Sequence, residues 1–265
     1  MGDEVSISIQ RALETLEQVE GVVILLAVES GSRAWGFSSI DSDYDVRFIY
    51  VRRPEWYLSI DLEWQRDVIE RPLENEIDLS GWDVRKVLKL FYKSNPPLLE
   101  CLQCPIIYRE SFSLAARLRG LLPEFYSPSA CFYHYLHMAK GNIREYLRGD
   151  TVWRKKYFYV LRPLLAMRWI DQRRGPVPIE FQKLIDATVD NPTLRNAISD
   201  LVSVKRLGAE LDRGPRIPAI SDFIEGEMAR LEQTVSDRPD AAPAMDTLNE
   251  LFRDTLGEVW RKEQP

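Results

Sequence analysis

The chain has 265 residues, 45% of them hydrophobic and 29% charged, enough to bury a sizeable core in one or two domains. No apolar run is long enough to span a bilayer, the acidic opening "MGDEVSISIQRALETLEQVE" is unlike a secretory signal, and three cysteines make no disulfide framework, so a soluble cytoplasmic protein is expected. A net charge of −6 argues against nucleic-acid binding by the whole surface but not by a local basic patch.

Ile9, Leu13, Leu16 and Val19 carry the spacing of an amphipathic helix. "VVILLAV" (22–28) reads as a strand buried on both faces, and "YDVRFIYV" (44–51) as a second strand. "RDVIER" and "NEIDLSG" predict two more, the latter ending at Gly81. Ser80, three residues before Asp83, suggests a capping box that opens the helix "WDVRKVLKLFYKS". Beyond Asn95-Pro96-Pro97 the strand signals stop. Helices are expected over roughly 110–121, 128–148, 152–174, 179–188, 191–212, 219–236 and 244–262, with a kink or new start at Pro163. The fold class is therefore α+β. A mixed-sheet N-terminal domain with helices (1–95) precedes an all-helical domain (96–265).

One stretch carries chemistry: "ESGSRAWGFSSIDSDYDVRFIYV". Side chains alternate along a strand, so Asp43, Asp45, Arg47 and Ile49 share one face while Tyr44, Val46, Phe48 and Tyr50 form a core face. Two carboxylates at i and i+2, about 6–7 Å apart at Cα, repel each other unless a cation sits between them. Upstream, a buried strand ending in Gly31-Ser32 and entering a short helix aims backbone amides and a hydroxyl at an anion. Asp78, between Ile77 and Leu79, is a third strand carboxylate. Asp41 reads as a turn residue.

Gly31-Ser32, ten intervening residues, Asp43-Tyr44-Asp45 and Asp78 together resemble the core signature of the DNA polymerase beta-like nucleotidyltransferase superfamily. "GSRAWGFSSIDSDYD" is similar to the antibiotic and minimal nucleotidyltransferase type. "GWDVRKVLKLFYKSNPPLLE", "PIIYRE" and "KKYFYVLRPLLAMRWI" resemble the RNA-ligase-associated (RlaP-type) group of bacterial nucleotidyltransferases. The broad likeness covers about residues 22–80 and the narrower one reaches about 175. The resemblance implies a nucleotidyltransferase-type fold and transfer of a nucleoside monophosphate from a nucleoside triphosphate to a hydroxyl acceptor, with pyrophosphate released. It further implies that Asp43, Asp45 and Asp78 bind two Mg²⁺ or Mn²⁺ ions, that Asp78 helps deprotonate the acceptor, and that Gly31 and Ser32 hold the outer phosphates.

Other residues are weighed beside these. Arg33 could reach triphosphate from the Gly-Ser loop or pair nearby. Lys86, Lys89 and Lys93 lie on one helical face, solvated or in contact with phosphate. From Lys140 to Arg174, ten lysines and arginines stand against three acids. Within that stretch "WRKKYFY" interleaves charge and aromatics, so Lys155 or Lys156 could contact the triphosphate. Cys101, Cys104, Cys131 and His134 could formally form a zinc set, but an apolar setting favours plain core. RNA or another nucleic acid is the favoured acceptor. A small molecule or protein acceptor, or a regulatory protein that keeps the fold, are the alternatives.

Overall fold

A computed structural model describes residues 2–74, 76–208, 212–234 and 244–261. The elements run α1 (Gly2–Glu20), β1 (Val23–Glu29), α2 (Gly31–Trp35), β2 (Tyr44–Val51), α3 (Pro54–Tyr57), β3 (Val68–Glu74), β4 (Ile77–Asp83), α4 (Val84–Tyr92), α5 (Pro96–Gln103), β5 (Ile107–Glu110) and α6 (Leu114–Phe125). There follow α7 (Pro128–Tyr146), β6 (Thr151–Trp153), α8 (Tyr157–Asp171), α9 (Phe181–Thr188), α10 (Pro192–Arg206), β7 (Arg213–Pro215), α11 (Pro218–Thr234) and α12 (Met245–Trp260). The fold class is α+β, as expected. A mixed five-stranded sheet has the order β3-β4-β2-β1-β5, with β2 and β4 parallel and the other neighbours antiparallel.

Two compact units share the chain, and they do not divide at residue 95. The first comprises the described parts of Met1–Ala34, Asp43–Tyr126 and Ala242–Pro265; the second comprises those of Trp35–Ser42 and Ser127–Ala241. The border moves because β5 pairs with β1, α6 packs on β1, and α12 returns to α4. Local periodicity carries none of these long-range contacts.

The core of the sheet unit follows from alternation. Val46, Phe48 and Tyr50 are buried with Ile9, Leu13 and Leu16 of α1, as their shared face demands. Val19 is 70% exposed, because repeated three-residue steps drift off a stripe that repeats every 3.6 residues. β5 escaped prediction since "IYRE" is an edge strand with no buried residue, and the two short strands β6 and β7 carry one buried residue between them. Gly81 is the register partner of Phe48, and a Cβ there would collide with the Phe48 ring. The expected helical extensions to 212, 236 and 262 fall partly on residues outside the described set.

β4 continues through Trp82 and Asp83, so Ser80 caps nothing. Asp83 is itself the N-cap of α4 and accepts from the Arg85 amide at 2.8 Å, while the Tyr57 hydroxyl donates to its other oxygen at 2.7 Å. Burial pushes the Asp83 carboxyl up to about 6, against those two hydrogen bonds, which favour the ionised form. The folded value lies above the unfolded one. Its stabilising contribution is therefore complete below the unfolded carboxylate value and lost as pH rises through about 6. Asp83→Asn keeps a good N-cap and never ionises. Its melting temperature relative to wild type is expected to climb between about pH 4 and 7, by up to about 3 kcal/mol of stability. A difference that stays flat across that range would refute the assignment.

In the helical unit, α8 is buried on nearly every side and packs against α7, α9 and α11. Pro163 neither breaks nor restarts it; surrounding contacts hold the turn from which the proline removes a hydrogen bond. The residues before α8 are not helical as expected: Trp153 ends β6, and Arg154–Lys156 form a short 3₁₀ turn. The segment Trp35–Ser42 belongs to this unit, anchored by Phe37 stacked on Phe158 with centroids 4.5 Å apart and by Trp35 against Tyr159 at 5.7 Å.

Candidate active site

β1 ends in Glu29, a carboxylate only 1% exposed. One of its oxygens accepts from the Ser30 amide at 3.2 Å and the Asp45 amide at 2.9 Å; the Tyr108 hydroxyl donates to the other. Burial raises the Glu29 pKa and these hydrogen bonds oppose the rise. The Glu29 carbonyl in turn accepts from the Cys104 thiol at 3.1 Å. Glu29 thus ties the start of the Gly-Ser turn to the second residue of β2. Sequence reading assigned it no role, although an acid ending the apolar run "VVILLAVE" was the available signal.

Gly31 opens α2 at φ +59°, in the left-handed region that favours glycine. A Cβ there would overlap Oδ2 of Asp45. The Asp45 carboxylate therefore lies directly across the Gly31 backbone, and any side chain at this left-handed position would push it aside. Ser32 is half-buried in the same turn.

Asp45 and Asp78 are register partners on the parallel pair β2 and β4, so their side chains emerge side by side. Their side chains are 34% and 35% exposed. Arg47, two residues along β2, places its guanidinium 2.8 Å from Asp78 and 3.8 Å from Asp45. The cation that two adjacent carboxylates require is thus supplied by the chain itself. Sequence alternation had put Arg47 on this face without giving it a task.

Asp43 lies one residue before β2 and is exposed. Its main-chain carbonyl accepts from Arg33 Nε at 3.2 Å, and the Arg33 guanidinium sits 3.7 Å from the centroid of the Tyr44 ring. Among the described residues, no three acidic, histidine or cysteine side chains converge tightly enough to enclose a metal ion. The structure pairs Asp45 with Asp78 and leaves Asp43 outside the strand, so the expected cluster of three is a pair with a neighbour. That pair still fits a hard divalent ion: Mg²⁺ is commonly held through one or two carboxylates, with substrate phosphates and water completing its shell. Here the Arg47 guanidinium stands where such a cation would go.

The remaining candidates fall elsewhere. Lys155 and Lys156 belong to the helical unit, with Lys155 exposed and Lys156 Nζ 4.2 Å from the centroid of the Tyr146 ring. Lys86 pairs with Asp67 at 2.8 Å, whereas Lys89 and Lys93 are exposed. All three cysteines are buried and unpaired by disulfides; burial pushes the Cys101 thiol up to about 12, and Cys131 sits in the interior of α7.

Residues 5–254 match the profile of the RlaP family, described as the RNA repair pathway DNA polymerase beta family. The uncharacterized protein YcgL of Bacillus subtilis (strain 168) is 48% identical over 256 residues, which cover 95% of this chain and 98% of that protein. A crystal structure of a nucleotidyltransferase-like protein from Exiguobacterium sibiricum 255-15 aligns with a TM-score of 0.32 at 13% identity, over 96% of this chain and 91% of that one.

Proposed function

We propose, from the premise that the chain belongs to the RNA repair pathway DNA polymerase beta family, that it transfers a nucleoside monophosphate from a nucleoside triphosphate to a hydroxyl of RNA or another nucleic acid. The acceptor oxygen forms a bond to the α-phosphorus, the bond to the β-phosphate bridge breaks, and pyrophosphate leaves. The observation that carries this reading is the Asp45–Asp78 register pair laid across the Gly31 backbone.

Asp45 and Asp78 would hold Mg²⁺ or Mn²⁺, with Asp43 as a further oxygen ligand; the family resemblance implies two such ions. Such ions, when bound, neutralise charge on the transferring phosphoryl group and acidify the attacking hydroxyl. The chain's own part is positioning, the dominant contribution in phosphoryl transfer. Backbone amides at Gly31 and the Ser32 hydroxyl bind the outer phosphates. Asp78 accepts the proton of the acceptor hydroxyl. Arg47 balances the charge of the two carboxylates. Arg33 is a candidate triphosphate contact.

The experiment is direct. Purified protein receives Mg²⁺ or Mn²⁺ and each α-labelled nucleoside triphosphate in turn, with total RNA, total protein and a small-metabolite extract offered separately. Label entering RNA, and not entering it with an Asp43→Asn/Asp45→Asn variant, is the expected result. Label entering only protein or metabolites would remove the RNA acceptor and keep the transferase. No transfer to any pool, together with no metal-dependent binding of triphosphate, would end the enzymatic reading.

A further inference from the structure

The cations of residues 140–174 are not a uniform solvated face. Arg162 is buried, with its guanidinium 3.3 Å from the Ile179 carbonyl; Arg168 pairs with the buried Glu227 at 2.8 Å. Arg154 donates toward the Pro215 carbonyl at 3.4 Å. These hold the helical unit together. Arg144 and Arg148 differ: Arg144 is exposed on α7, Arg148 is exposed just past its end, and neither makes an ion pair or hydrogen bond among the described residues.

They border a groove. α7 packs on α8, and so does α11, which leaves between them an open cavity of 670 Å³ that Arg144 and Arg148 line. Its floor is apolar, made by Ile143, Ile224 and Met228. A smaller pocket of 280 Å³ continues past Arg148 toward Tyr157. The two acids at the rim are already neutralised: Glu232 by Lys140 at 2.9 Å, and Glu225 by Arg216. Lys140 and Arg144 lie about 6 Å apart along the axis of α7, and Arg148 follows two residues past the helix end, at the same groove.

A single phosphate would engage one of these cations. A run of them over an apolar floor matches a strand that presents a phosphate at every nucleotide and a ring face beside each one. A duplex would show its backbone and hide its bases, leaving the floor unused. We infer that the α7–α11 groove binds a single-stranded nucleic acid, Arg144 and Arg148 contacting its phosphates and Ile143, Ile224 and Met228 its bases. The inference rests on the nucleotidyltransferase reading only in its choice of RNA as the strand.

The full chain and its Arg144→Gln/Arg148→Gln variant are titrated into a labelled single-stranded RNA of about twenty mixed nucleotides, at about 50 and 200 mM salt. Binding by the variant is expected to be roughly tenfold weaker, with a salt slope shallower by about 1.4, the value for two lost contacts to a single strand. Arg253→Gln, which removes an exposed cation of α12, is expected to behave as wild type. Equal affinity and slope in the double variant overturns the inference, as does absence of binding by the wild-type chain or an equal loss in Arg253→Gln. Label transfer measured on the same proteins separates the two readings. Transfer to RNA that depends on Asp45, with RNA affinity untouched by the double substitution, removes the groove and keeps the transferase. Binding that depends on the groove, without transfer to RNA, keeps the groove and removes the RNA acceptor.

Discussion

Asp45→Asn is expected to lower nucleotide transfer by roughly a thousandfold or more while leaving the protein folded. The substitution keeps the side chain's shape, so the close approach to Gly31 survives, but it removes the charge that a divalent ion and its bound phosphates need. Stability is expected to change little. The Asp45 side chain is 34% exposed and its contact with Arg47 is a long 3.8 Å, and such exposed pairs contribute at most about 1 kcal/mol. Pyrophosphate release with saturating Mg²⁺ or Mn²⁺, beside a thermal melt, measures both halves. Transfer within about tenfold of wild type would show that Asp45 does not hold the reacting phosphates, and the proposed site would have to move.

Glu29→Ala is expected to do the opposite damage, removing the fold before the chemistry. Its carboxylate is 1% exposed and satisfies the Ser30 amide, the Asp45 amide and the Tyr108 hydroxyl. Truncation orphans three partly buried donors at about 1–3 kcal/mol each, part of which a water entering the gap recovers. A net loss of about 3–5 kcal/mol, or roughly 10 °C in melting temperature, is the expected size. Glu29→Gln separates hydrogen bonding from charge. Its carbonyl oxygen still accepts from both amides, and its NH₂ can donate to the Tyr108 oxygen, so it is expected to lie within about 1–2 kcal/mol of wild type. An alanine variant that melts with wild type would mean that Glu29 does not organise the Gly-Ser turn. A glutamine variant as unstable as alanine would show that the charge, not the hydrogen bonds, is what the turn requires.

Much of the site was legible along the chain. The Gly-Ser turn, the acidic strand and the third acid announced themselves because each is a local pattern: a glycine where the backbone turns left-handed, a period of two, an acid between two aliphatic residues. The core face of Tyr44, Val46, Phe48 and Tyr50 followed from the same alternation. Three parts of the site were not legible. Arg47 lay on the right face, but its bridge to Asp78 joins residues on different strands. Glu29 drew no reading because its three partners come from Ser30, β2 and β5. Asp43 was expected to share the face of Asp45 by alternation, although it precedes the strand, which begins at Tyr44 as expected. The Ser80 cap failed for a related reason: pairing with β2 and β3 carries β4 on to Asp83.

By itself, then, the sequence determined the segments that become α1, β1 to β4 and α4, which faces they bury, and which side chains can carry acid, metal and phosphate chemistry. Backbone conformation and side-chain alternation depend on neighbours a few residues away, and those neighbours are written in order. Only the tertiary structure decided that Asp78 stands beside Asp45, that β5 and α12 close the first unit, and that α7 and α11 leave a basic groove open between them. Each of these depends on register or packing between segments far apart in the chain. A shift of one residue between β2 and β4 would turn Asp78 to the opposite face while leaving every local pattern unchanged.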